Sequence, residues 1–287
     1  MSENTPPSPT LLLPRIEQLA RDAGAVIMQH YNNPATKAYT KKDGSVVTDA
    51  DHAAEKIILA GLAQLTPHIP VLSEEAFEAG NAPDLSGGTF WTVDPLDGTR
   101  EFAERTGAFV VAIALIVDNK PVLGVVYHPA MDKLYAAAGP QTAVHVAPDG
   151  TRSALSAPAA AEDAESMRIL VNENSADMPK VKGYLSTQFG KAARIDSKSG
   201  VLRACQVAES HADASVVCPL NREGRTKYWD VAAGHAIVEA AGGQVQDMDG
   251  NPLRYDAPDF QVPPHMCLSA KHAQKHGSAG AKPPVQK

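Results

Sequence analysis

Asp94-Pro95-Leu96-Asp97-Gly98-Thr99 is the stretch on which the reading of this chain turns. Before it, Thr89 to Val93 is an apolar, β-prone run that Asp94 closes. Pro95 fixes the exit angle and Asp97 follows three residues after Asp94, so two carboxylates can converge on one side of a tight turn. Gly98 and Thr99 stand where a helix begins. The unpaired N–H groups and positive dipole end of a helix start favour a bound phosphate. With Glu74-Glu75 upstream and Trp229-Asp230 downstream, the pattern describes a carboxylate cage for hard metal ions beside a phosphate cradle. Such an arrangement suits metal-assisted attack on a phosphate ester.

Outward from this stretch, helical and strand periodicities alternate. Ile16, Leu19, Ala20, Ala23, Val26 and Ile27 recur at three and four residues and predict a helix over 12–31. Ala54, Ile57, Ile58, Leu62 and Leu65 predict a second helix that stops before Pro67, with Asp49 and Asp51 at its start. Pro70 to Ser73 reads as a strand delivering Glu74 and Glu75, followed by an acidic loop to Gly88; residues 89–94 read as the next strand. Two β-branched runs flanking Asp118-Asn119-Lys120-Pro121 between Ala108 and Tyr127 predict a hairpin. The Ala-, Ser- and Pro-rich stretch between Gly150 and Ser166 marks a lobe boundary. Beyond it, strands are expected at 167–171, 194–196, 214–217 and 243–245, with helices near 177–188, 200–210 and 230–242. This gives an N-terminal lobe over 11–155, a second α/β lobe over 156–270, and disordered ends at 1–10 and 271–287.

Composition narrows the partners. With 26 basic and 33 acidic residues the formal charge is −7, and no dense basic block exists, so duplex nucleic acid is disfavoured. Bound metals would still make a pocket locally positive toward a small anion. Cys205, Cys218 and Cys267 form no CxxC pair, which points to a reducing cytoplasm and to small buried side chains. The polar start and the Leu11-Leu12-Leu13 run cut by Pro14 fit neither a signal peptide nor a membrane span.

Each motif alone has a plainer reading. Asp-x-x-Asp-Gly is also an ordinary capped turn, and Trp229-Asp230 is also a core tryptophan beside a capping aspartate. An EF-hand fails, because aligning Gly98 with the sixth loop position puts Val93 and Pro95 at the first and third. The histidines, His52, His128, His211 and His235 among them, show no metal-ligand spacing.

Taken together, three words in order are more specific. Val71-Leu72-Ser73-Glu74-Glu75, then Trp91-Thr92-Val93-Asp94-Pro95-Leu96-Asp97-Gly98-Thr99-Arg100-Glu101-Phe102, then Trp229-Asp230-Val231-Ala232-Ala233-Gly234-His235 closely resemble the inositol monophosphatase superfamily. Within it the chain is most similar to the 3′(2′),5′-bisphosphate nucleotidase branch. Lys42 to Asp51 and Gly124 to Pro129 add support, and the likeness spans about Ile16 to Ser269.

The resemblance implies a layered α+β or α/β fold, an αβαβα sandwich. It implies Mg²⁺ held by Glu74, Asp94 and the Leu96 carbonyl, and a second Mg²⁺ held by Asp94, Asp97 and Asp230. A third, weaker ion would sit near Glu74. The phosphate would lie against Glu74, Leu96, Asp97, Gly98, Thr99 and Asp230, with Asp51 and the Thr99 hydroxyl activating water alongside Glu74. Lithium sensitivity follows from the same likeness. The implied reaction removes the 3′-phosphate of adenosine 3′,5′-bisphosphate to give AMP and phosphate in sulfur assimilation, with its 5′-phosphosulfate analogue as a secondary substrate. An inositol monophosphatase or sugar bisphosphatase is the alternative within the class. An inactive metal- and nucleotide-binding regulator is the alternative outside it, but binding alone would not require the Asp51–Thr99 pair.

Ser199, Arg222, Arg225 and Lys227 are the candidate contacts to the leaving group. Arg100 stands where this branch often has lysine, and the segments at 196–200 and 218–225 depart from the usual form. A monomer or homodimer is expected, with no transmembrane segment; peripheral association with the inner membrane rests on the resemblance only.

Overall fold

The structure is a computed structural model that describes residues 7–41, 44–156, 167–171, 183, 185–186, 194–197, 200–217 and 226–270. Helix α1 (Pro9–Tyr31) starts ahead of the expected residue 12, because Pro9 takes a first-turn position where its missing N–H costs nothing. Ile16, Leu19, Ala20, Ala23 and Ile27 form its buried stripe. The ribbon β1 (Ala38–Thr40) and β2 (Val46–Thr48) leads into α2 (Asp49–Leu65). Strand β3 (Val71–Ser73) runs directly into a short helix, α3 (Glu74–Glu78), where a loop was expected. Strand β4 (Phe90–Asp97) runs past the expected end at Asp94 and through Pro95, because a bulge lets Asp97 pair again with the next strand; α4 (Thr99–Ala103) follows it, as the sequence predicts.

The predicted hairpin is β5 (Val110–Val117) and β6 (Lys120–His128). Its turn is the pair Asp118 and Asn119, both at positive φ (51° and 61°), which matches the right-handed twist of the strands. Three strands missing from the sequence reading follow: β7 (Lys133–Ala138), β8 (Val144–Val146) and β9 (Arg152–Ala154). The order β3-β4-β5-β6-β7-β8-β9 makes a seven-stranded sheet, antiparallel except for the parallel pair β3–β4.

The second half supplies β10 (Arg168–Val171), β11 (Arg194–Ser197), α5 (Leu202–Ala208), β12 (Ala214–Val217), β13 (Thr226–Lys227), α6 (Ala232–Ala240), β14 (Gln244–Asp247), β15 (Gln261–Val262) and β16 (His265–Leu268). Strands β11-β10-β12-β16-β14 form a five-stranded mixed sheet, and β13–β15 a small ribbon. The boundary stretch at 157–166, most of the helix expected near 177–188 and the tail 271–287 lie outside the described residues.

The two faces of the large sheet separate by the period of two along each strand. Trp91, Val93, Val111, Ile113 and Leu115 pack with α1 and α2. Phe90, Val110, Ala112, Ala114 and Ile116 pack instead with α5 and α6, in a cluster that also takes in Val245 and Cys267 of the smaller sheet. Helices therefore cover both faces of β4 and β5, which explains their unbroken burial. Beyond the second sheet, Leu185 packs on Ile169, Val216 and Met266. Trp91 is fully buried, and its indole N–H donates to Thr66 Oγ1 at 2.8 Å. Burial of one such side chain contributes roughly 1.5–3 kcal/mol. At Gly124 of β6, an added Cβ would lie 2.4 Å from the Ala233 carbonyl of α6, so helix and strand touch backbone to backbone. No helix among the described residues is long and apolar enough to cross a membrane.

Candidate active site

The edge pair β3–β4 lays the foundation. Because Ser73 pairs in parallel with Val93, the residues that follow each, Glu74 and Asp94, emerge side by side. Glu55 of α2 fixes α3 by accepting from the Ser73 hydroxyl (2.5 Å) and the Ala76 N–H (2.9 Å). Three residues along a regular strand would send Asp94 and Asp97 to opposite faces. The structure resolves this with a register shift: Asp94 pairs with Ala112 but Asp97 with Val110, and the one-residue bulge returns both carboxylates to one side. The Leu96 N–H donates to Asp94 Oδ1 at 2.9 Å and braces the bulge. Gly98 sits at φ 94°, where a side chain would also strike the Ala108 carbonyl, and opens α4.

Asp51 enters from the first turn of α2. Its Oδ2 accepts from Thr48 N–H (2.8 Å) and Thr48 Oγ1 (2.6 Å), and with the Ala50 N–H donating to Thr48 Oγ1 (3.1 Å) a capping box closes the helix start. Its Oδ1 accepts from the Thr99 hydroxyl at 3.0 Å. The Leu96 carbonyl lies 3.1 Å from the same hydroxyl, so both neighbours of the Thr99 proton are acceptors.

The second half of the chain closes the site. The Val201 N–H, at the start of α5, donates to Asp97 Oδ2 at 2.6 Å. Asp230 precedes α6, and its Oδ2 accepts from the Lys227 N–H at 3.1 Å. Asp51 and Asp94 are 1% and 2% exposed, while Glu74, Asp97 and Asp230 are half-buried.

These carboxylates titrate high. Burial, then the charges of Glu74, Asp97, Asp230 and Asp51, push Asp94 well above the usual carboxylate range. Burial and Asp97 push Asp230 up to about 7. Glu74 rises to about 8 through burial and the charges of Asp230 and Glu75, with Lys41 opposing. Burial likewise raises Asp51 and Asp97, against the hydrogen bonds each accepts.

Two cations that the sequence reading missed stand here. Lys41 Nζ contacts Glu74 Oε1 (3.0 Å), Glu75 Oε1 and Glu78 Oε2 (both 2.8 Å). Burial opposes its charge, yet these three carboxylates raise its pKa above the ordinary lysine value. Arg203 of α5 is 8% exposed, and burial disfavours its charge while Asp97 and Asp230 support it. A lone arginine within the apolar Leu202–Ala208 run was the available signal.

Of the expected leaving-group contacts, Ser199, Arg222 and Arg225 lie outside the described residues. The Lys227 ammonium faces the rings of Phe77 and Trp229 and donates to the Asp259 carbonyl at 3.1 Å.

The donor set fits hard cations. It is all oxygen, it concentrates negative charge that only cations relieve, and it offers no thiolate or imidazole. With Asp97 turned to Val201 and Glu74 to Lys41, no three His, Cys, Asp or Glu side chains among the described residues already close into a metal-holding group.

A family model described as the inositol monophosphatase family matches residues 12–279, and this chain belongs to that family. More particularly, it is 41% identical over 245 residues, 85% of this chain and 94% of the relative, to the 3′(2′),5′-bisphosphate nucleotidase CysQ of Escherichia coli strain K12. The CysQ of Buchnera aphidicola is 39% identical over 246 residues, covering 85% and 87% of the two chains. Among solved structures, CysQ from Bacteroides thetaiotaomicron superposes with a TM-score of 0.71 at 32% identity, over 89% of this chain and 96% of that one. The fold is thus the layered αβαβα arrangement of inositol monophosphatases.

Proposed function

We propose that this chain is a Mg²⁺-dependent 3′(2′),5′-bisphosphate nucleotidase that hydrolyses the 3′-phosphate of adenosine 3′,5′-bisphosphate, giving AMP and phosphate. The observation that carries the chemistry is the Asp51–Thr99 hydrogen bond of 3.0 Å beside the carboxylate cluster. The substrate follows from the nucleotidases that this chain resembles along most of its length. Members of this family are metal-dependent phosphatases.

Glu74, Asp94 and the Leu96 carbonyl would hold one Mg²⁺, and Asp94, Asp97 and Asp230 a second. Bound there, Mg²⁺ acidifies water and stabilises charge on the leaving oxygen. The protein's own groups do the rest. Thr99 Oγ1 takes a proton from the attacking water while passing its own to Asp51 Oδ1. The water oxygen bonds to phosphorus and the ester bond to the 3′-oxygen breaks. That oxygen takes a proton from solvent, and Asp51 returns its own to solvent. The amides of Gly98 and Thr99, at the start of α4, hold the phosphate oxygens.

Side-by-side phosphate release decides the reading. Adenosine 3′,5′-bisphosphate should exceed inositol 1-phosphate and fructose 1,6-bisphosphate by at least about tenfold in kcat/KM, or ~1.4 kcal/mol. A preference for inositol 1-phosphate would overturn it.

A further inference from the structure

Two of the carboxylates at this site come from opposite halves of the chain, Glu74 from α3 and Asp230 from the turn before α6, and their charges repel one another. Groups that repel keep a fixed spacing only if something else holds their supports together. Phe77, one turn along α3 from Glu74, lies 5.5 Å from the Trp229 ring at 55° and 5.6 Å from the Phe260 ring at 88°. The Lys227 ammonium caps this stack, 4.7 Å from the Phe77 centroid and 5.8 Å from that of Trp229. The same lysine's N–H donates to Asp230 Oδ2, and its carbonyl accepts from the Asp230 N–H at 3.2 Å. One side chain away from each carboxylate, the two halves are therefore joined by ring-on-ring and cation-on-ring contacts, which have angular preferences that aliphatic packing lacks.

We propose that Phe77 and Lys227 are positioning residues: with Trp229 they clamp α3 to the turn before α6 and so set the spacing of Glu74 and Asp230 for divalent-cation binding. The inference rests on the assignment of those carboxylates as cation ligands. It concerns affinity for the cation and assigns no contact with substrate.

The test is a calorimetric titration of the full chain with Mn²⁺, without substrate, alongside thermal melts. Phe77→Leu, which keeps an apolar side chain of similar bulk, should weaken Mn²⁺ binding by at least about tenfold, the low end of the scale for losing two ring pairs and one cation–ring contact. Phe77→Trp should restore affinity to within about threefold of the original, since it keeps an aromatic face. Lys227→Met gives the sharpest comparison. Removing a positive charge near Asp230 would by electrostatics alone tighten cation binding, whereas loss of the clamp weakens it. Tighter Mn²⁺ binding by Lys227→Met, or a lowered melting temperature in Phe77→Leu with unchanged affinity, overturns the clamp. If the unsubstituted chain takes no Mn²⁺, the cation site itself fails and the clamp with it. Unchanged affinity in both variants, with normal binding by the unsubstituted chain, sinks the clamp alone.

Discussion

The Asp51–Thr99 pair makes a prediction about coupling as well as loss. In Asp51→Asn the oxygen facing Thr48 can still accept the two donors at 2.8 and 2.6 Å, so the start of α2 stays capped. The amide nitrogen must then face Thr99, across what was a 3.0 Å hydrogen bond to Oδ1. That reverses the bond: Thr99 becomes the acceptor and its proton turns to the Leu96 carbonyl, 3.1 Å away. The hydroxyl can no longer pass a proton on. Thr99→Ala removes the same relay from the other end. Each single substitution should lower kcat by roughly 10²–10⁴, or about 2.7–5.4 kcal/mol, with a smaller effect on KM. Because both break one relay, the double variant should be no slower than the slower single variant, within about threefold. Stability should fall by only about 0.5–2 kcal/mol in each, the range for one weakened cap or hydrogen bond. The assay is phosphate release at saturating substrate and Mg²⁺, with melts as control. Multiplicative losses in the double variant, or effects confined to KM, would refute the relay.

Asp94→Asn should abolish turnover, as should Asp97→Asn and Asp230→Asn, yet its melting temperature in chelator should hold or rise, because a carboxylate crowded by four others is replaced by a neutral amide of equal size; a marked fall in melting temperature would contradict the crowding argument. Millimolar lithium should inhibit across a Mg²⁺ titration, and Ca²⁺ should inhibit through its looser coordination, so a flat response to both would count against the metal assignment. His265 is 2% exposed, and burial lowers its pKa to about 4. Its unfolded form titrates near 6.5, so the unfolded chain binds the proton more readily: stability is complete above about 6.5 and drains as pH falls toward 4, by ~2 kcal/mol at pH 5. His265→Gln should remove that part of the slope between denaturation midpoints at pH 7.5 and pH 5, and an undiminished slope would disprove it.

Much of this was legible because local chemistry and global fold agree at the decisive places. The Thr89–Val93 run and Gly98 foretold strand and helix start, and Asp118-Asn119 foretold the hairpin turn, whereas the turn read at Pro95 is a bulge within β4. The bulge between Asp94 and Asp97 was not legible, since it is defined by pairing with β5, a partner the local sequence does not name. Helix α3 escaped because five residues carry no helical period. Strand β7 escaped because its Lys133–Ala138 run ends in three alanines, which favour helices until tertiary pairing overrides them. Of the site, the Asp51–Thr99 contact agrees with the motif, but Lys41 and Arg203 acquire their meaning only from carboxylates distant in sequence. Lys41 meets Glu74 across 33 residues, a separation at which no periodicity operates.

The contact at Gly124 bears on how this protein can change over generations. Core side chains along β5, β6 and α6 can be exchanged for others of like volume, since packing elsewhere adjusts. Beneath Ala233, main chain meets main chain, and a methyl group at residue 124 would have only 2.4 Å to the carbonyl. Sequence drift can therefore rework most of the interior and still deliver Asp230 to the same place, whereas that one glycine offers descent almost no choice.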